Sequence, residues 1–169
     1  YRALAREIAA AARRLAWDEA RGLLADTPAK DRFSQHASIL AVLADVVPQD
    51  SQRELMIRVL EDPSLTQATY YFRFYLFRAL GKAGLADRYL DQLGPWKTML
   101  DLGLTTWAEK PEPTRSDSHA WSAHPTLDLL AIVAGITPAT PGFGRVWVRP
   151  HLGHLTRLEA AVPTPRGEV

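Results

Sequence analysis

The stretch GLTTWAEKPEPTRSDSHAWSAHP, Gly103 to Pro125, sets the carboxylate of Glu109 among tryptophans and histidines with almost no aliphatic residues nearby. Helical patterns lie on both sides of it, and a strand pattern begins only at Arg145. Its residue types are those of a carbohydrate pocket. Such pockets use aromatic faces against the apolar C–H patches of a pyranose, forked or ring-nitrogen donors for its hydroxyls, and a carboxylate for acid–base chemistry at the anomeric carbon. Trp107, Glu109, Arg115, Asp117, His119 and Trp121 supply all three. A structural reading stands beside this one: a Thr-Trp pair also suits a core, and a Glu in a Pro-rich loop also suits solvent.

Working outward, TTWAE (Thr105 to Glu109) and RSDSHAWSAHP (Arg115 to Pro125) are followed by GITPATPGFGRVWVRPHLGHL (Gly135 to Leu155) and VPTPRG (Val162 to Gly167). In this order and spacing the four blocks resemble the C-terminal part of the catalytic domain of bacterial α-L-rhamnosidases and the start of the β domain behind it. DRFSQHASILAVL (Asp31 to Leu43) and the aromatic segment from Tyr70 are similar to the same family. The resemblance implies a mainly α chain: part of an (α/α)6 toroid of helical hairpins over 1–138, then the beginning of a C-terminal β-sandwich over 139–169. It also implies removal of terminal L-rhamnose with inversion by two acidic residues. Glu109 occupies the position of the family's general base, and His119 that of a histidine placed against sugar hydroxyls. Trp107 and Trp121 are further candidates for contact with the sugar. Ala108 stands where the family more often has an aromatic residue, which leaves room for altered substrate fit.

No carboxylate in the earlier half matches the family's general acid. Asp18, Glu19, Asp26 and Asp31 lie in or beside a helix and a loop, where capping or solvation accounts for them. The chain enters a helix at Tyr1 and stops at Val169 within a strand-like pattern, so the acid is expected upstream in a longer polypeptide. Residues 1–169 alone are expected to be inactive. Two other readings stay open: an (α/α)6 enzyme acting on a different sugar, and a non-catalytic sugar-binding or structural domain that kept the scaffold.

Composition bounds the partners. With 169 residues, 47% of them hydrophobic, the chain can bury a substantial core. Twenty basic and 19 acidic residues, interspersed for a net charge of +1, give no electrostatic case for nucleic acid. The longest apolar windows are too short for a membrane span. The expected partners are therefore a carbohydrate and the rest of the parent polypeptide. The absence of cysteine excludes a disulfide framework and a thiol nucleophile and leaves the compartment open. No cofactor is expected, and five histidines without metal-ligand spacing give no metal site.

The hydrophobic period predicts helices from Arg2 to about Trp17, from a Ser34 cap to before Pro48, and from a Ser51–Glu54 capping box to about Leu60. A fourth is expected from Thr66 through the aromatic series to Gly81. A fifth, from Ala86 to Leu102, should bend at Gly94-Pro95, and a last should run from His119 or Pro125 to Ala134. Val146 and Val148, then Leu158 to Val162, alternate as strands. These periods fit a toroid of hairpins and an orthogonal bundle equally well, so the toroid comes from the resemblance. Six rings within Tyr70 to Phe77 cannot all face one core. Arg73 among them is open between a sugar contact and a salt bridge. His36 is open between the pocket and a capping neighbourhood, His124 suits a helix start, and His151 and His154 read as structural.

Overall fold

The computed structural model describes residues 1–169, which form two compact units, Tyr1–Leu85 and Ala86–Val169. In the first unit, helix α1 (Arg2–Ala16) follows the expected period, yet none of its residues is buried within this chain. Leu4, Ile8 and Leu15 remain about half exposed along it. A short hairpin follows, β1 (Trp17–Asp18) against β2 (Leu23–Leu24). Gly22 makes that hairpin possible because it turns at φ +61° beside the Arg58 side chain.

Ser34 caps α2 (Gln35–Leu43) as expected, its hydroxyl accepting from Ala37 N. Helix α3 (Gln49–Glu61) starts earlier than the Ser51–Glu54 box, directly after Pro48. Pro48 has the fixed φ of a helix entry, so Ser51 falls inside the first turn and bonds Asp50, while Glu54 pairs with Arg58. The aromatic helix also differs: α4 spans Arg73–Lys82, and the segment before it stays extended at Thr66, where it bridges Ser34. The reason is Gln35. Its buried amide donates to Val59 O at 3.0 Å and accepts from Ala68 N at 2.9 Å, so the backbone here is committed to Gln35 instead of to a helix ladder.

Helix α2 packs on both α3 and α4. Ile39, Val42, Met56, Val59 and Leu76 are completely covered there, with Phe77 and Leu80 beside them. Each contributes about 1.5–3 kcal/mol of burial. The aromatic series divides as its density requires. Tyr70 and Phe77 are buried, whereas Phe72 stacks on His36 at 4.2 Å and Phe74 lies under Arg78.

The second unit contains shorter elements. The expected Ala86 to Leu102 helix is three pieces: 3-10 turns at Ala86–Arg88 and Leu90–Gln92, then α5 (Gly94–Asp101). Pro95 sits in the first turn of α5, where its missing N–H costs nothing, so it starts a helix and does not bend one. The same logic operates at Pro125. A 3-10 turn Ala120–Ala123 leads to α6 (Pro125–Asp128), which continues as a π-helical turn over Leu129–Val133.

Beyond it, β3 (Ile136–Pro138) pairs antiparallel with β4 (Val146–Val148), Thr137 opposite Trp147. Gly135 fixes this hairpin's base. It turns at φ +69°, and a Cβ there would lie 1.9 Å from Arg149 O. Leu158 to Ala161 forms no strand; Val162 exchanges backbone bonds with Val169, continuing the last ladder, which joins β5 (Pro163–Thr164) to β6 (Gly167–Glu168). Arg157, Leu158, Glu159 and Ala160 are exposed, so the apolar alternation that suggested a strand has no core to face.

Candidate functional site

Between α5 and the 3-10 turn Ala120–Ala123, residues 104–119 have no regular secondary structure, so individual hydrogen bonds must hold them. Leu104 N bonds Met99 O at the end of α5, and Ala108 N approaches Met99 Sδ at 3.3 Å. The chain then folds back on itself. Glu109 N donates to Ser116 O at 2.9 Å, His119 N to Trp107 O at 2.8 Å, and Thr106 Oγ1 to Asp117 O. These rungs place 106–109 alongside 116–119. The peptide Glu112-Pro113 at the far end is cis.

The sequence-selected residues therefore meet in part. Trp107 and His119 line one cavity of about 240 Å³ with Thr105, Thr106, Ser118, Ala120 and Ala123. That is below the roughly 300–1,000 Å³ of sites for drug-sized ligands and suits one small molecule. It also mixes an aromatic face with hydroxyl and imidazole groups. Glu109 is not among its lining residues, although His119 of the cavity acts on it electrostatically; its side chain is only 9% exposed. Trp121 is 48% exposed and does not line it.

Arg115, one of the pocket-type residues of this stretch, is the group that holds Glu109. Its Nε donates to one carboxylate oxygen at 2.7 Å and its Nη2 to the other at 2.6 Å. These hydrogen bonds hold the Glu109 carboxyl below the usual carboxylate range; burial opposes them, and the charges of Arg115, His119 and Lys110 add to them. Glu109 is thus kept ionised and able to accept a proton.

A second polar group was not foreseen. His124 Nδ1 lies 2.7 Å from Asp128 Oδ2, with both side chains almost fully buried. Trp96 packs edge-on against the His124 ring at 5.1 Å and donates Nε1–H to Ser122 O at 2.8 Å. Ser122 N in turn bonds His119 O. This connects the buried pair to the turn carrying Ala120 and Ala123 of the cavity wall. The signal is the i, i+4 spacing of His124 and Asp128, which reading His124 only as a helix start leaves out. His124 does precede the first turn of α6, as expected. His151 and His154 lie 3.7 and 4.0 Å from Asp87 and Asp91, in keeping with a structural role. No group of three or more His, Cys, Asp or Glu side chains is arranged to hold a metal.

The likenesses to known proteins point one way. Residues 135–169 match the family described as bacterial alpha-L-rhamnosidase C-terminal domain. The chain superposes on the crystal structure of the GH78 family rhamnosidase of Bacillus sp. GL1 with a TM-score of 0.83 and 26% identity, over 95% of this chain and 19% of that one. It superposes on the rhamnosidase from Klebsiella oxytoca with rhamnose bound at 0.66 and 28% identity, over 73% of this chain and 27% of that one. A search of curated proteins gives no match. The fold is thus that of a segment of glycoside-hydrolase scaffold. More particularly, the chain resembles the C-terminal part of a bacterial α-L-rhamnosidase, as TTWAE and the blocks after it implied, and it spans about a fifth to a quarter of the length of these solved relatives.

Proposed function

We propose that this chain is the C-terminal part of the catalytic domain of an exo-acting α-L-rhamnosidase, with Glu109 as the general base of an inverting hydrolysis. The observation that carries the reading is the buried Glu109, forked by Arg115 and two residues from Trp107 of the Trp107 and His119 cavity, on a chain that is similar over 95% of its length to a rhamnosidase. In such a reaction a carboxylate takes a proton from water as that water attacks the anomeric carbon, while a carboxylic acid roughly 6.5–9.5 Å away protonates the departing oxygen. Glu109 supplies the first function. His119 would donate to and accept from vicinal hydroxyls, and Trp107 would present an apolar face to the sugar ring. Trp121, exposed and outside the cavity, is assigned to the outer edge of the substrate.

The general acid belongs to the upstream part of the parent polypeptide, and residues 1–169 alone are inactive. In the same reading residues 1–138 complete an (α/α)6 toroid, and 139–169 open the β-sandwich that follows it. The uncovered apolar face of α1 supports this, since such a face is stabilised only when another element covers it.

The test is hydrolysis of a chromogenic α-L-rhamnoside by the complete parent polypeptide, wild type against Glu109→Gln. A fall of about 10²-fold or more in kcat is expected from losing a general base. Turnover of a different sugar only would retain the scaffold and reject the substrate. A Glu109→Gln variant as fast as wild type would reject the base.

A further inference from the structure

Arg115 is not among the residues lining the cavity, and its side chain is 81% exposed, yet it spends both arms of its fork on Glu109. Arginine side chains with that much exposure ordinarily keep their heads in water. Its position six residues after Glu109 is enforced by the rung between Glu109 N and Ser116 O, which brings 115 back over 109. The two bonds reach different carboxylate oxygens and so fix the plane of the group as well as its distance. Each oxygen, having accepted one N–H, keeps further acceptor capacity for a proton from water.

Resting on the rhamnosidase reading, we propose that Arg115 is a positioning residue for the reaction: its fork aims the Glu109 carboxylate and keeps it charged while leaving the sugar cavity untouched. The groups with a charge or proton that act on Glu109 are Arg115, Lys110 and His119. Lys110 adjoins Glu109 in sequence and His119 lines the cavity, whereas the Arg115 fork holds both carboxylate oxygens and so sets orientation as well as charge.

The sign of the pH effect follows directly. Glu109 works as an anion, and the fork extends the range of that anion toward acid. Without the fork, burial acts unopposed by it, protonation sets in at higher pH, and the acid limb of the rate profile moves up.

The experiment measures kcat and KM against pH for the complete parent polypeptide on a chromogenic α-L-rhamnoside, in wild type, Arg115→Met, Arg115→Lys, Glu109→Gln and the Arg115→Met/Glu109→Gln double variant. Arg115→Met should shift the acid limb upward and lower kcat several-fold while KM stays near wild type. Arg115→Lys should return the acid limb toward wild type because a cation is restored. Its kcat should stay reduced, because an ammonium cannot reproduce the planar fork. In the Glu109→Gln background Arg115→Met should cost nothing more. An acid limb unmoved by Arg115→Met, a loss equal at every pH that Lys does not relieve, or an equal loss in the Glu109→Gln background would each overturn the proposal. Full activity of Glu109→Gln alone would instead refute the base assignment, so the two failures are told apart.

Discussion

Removing the imidazole of His124 should be among the most damaging single changes in the second unit. Asp128 has no exposed side-chain surface, and His124 meets it through a 2.7 Å contact while exposing only 4% of its own. His124→Leu nearly preserves volume, so the cavity contribution is small and the loss comes from the buried carboxylate left without that ring nitrogen. Leaving a buried polar group without its hydrogen-bond partner costs about 1–3 kcal/mol. The edge-on contact with Trp96 adds about 0.5–1.5 kcal/mol to what is lost. Replacing both partners should behave differently. In His124→Leu/Asp128→Leu neither partner is left behind, and most of the loss should be recovered, because replacing both partners of a buried hydrogen bond by apolar groups can be nearly neutral. Urea unfolding of the complete polypeptide, followed by tryptophan fluorescence, measures both variants, since Trp96 reports on this site. A single variant that loses under about 1 kcal/mol, or a double variant no better than the single, would refute the account of the pair.

Three further outcomes are expected. Gly135→Ala should destabilise the β3–β4 hairpin by at least about 1–3 kcal/mol, because the new methyl meets Arg149 O at 1.9 Å in a left-handed backbone; wild-type stability by denaturant titration would contradict this. Gln35→Leu should cost about 1–3 kcal/mol by stranding Val59 O and Ala68 N in the core, with hydrogen exchange at Ala68 accelerating, and unchanged exchange would count against the bridging role. Trp121→Ala should leave stability within about 0.5 kcal/mol, since half of the ring is already exposed, while raising KM for long-aglycone rhamnosides more than for a small chromogenic one. An equal rise for both substrates would place Trp121 elsewhere than the outer edge.

The periodic helices were readable where local signals and packing agree, as at α1 and at α2 with its Ser34 cap. They were misread where a distant partner overrode the local signal. Thr66 to Phe72 carries the aromatic density of a helix, but Gln35, thirty-three residues before Ala68, claims its backbone first. Leu158 to Val162 alternates as a strand should, yet only Val162 pairs, exchanging backbone bonds with Val169. At the site, Glu109, Trp107 and His119 were selected from residue type and family resemblance, and one cavity does bring Trp107 and His119 together.

By itself the sequence determined the inventory: a helical scaffold turning to strands near Gly135, a balanced surface charge, and one loop rich in the groups that handle sugars. Only the tertiary structure decided which of those groups act on one another. Arg115 bonds Glu109 because the loop doubles back through the Ser116 and Trp107 rungs, and His124 pairs with Asp128 because Pro125 starts a helical turn between them. Both pairings depend on the path of the backbone in space. Composition fixes which charges and rings are present, whereas distance and burial fix their energies, and those two quantities exist only after the chain has folded.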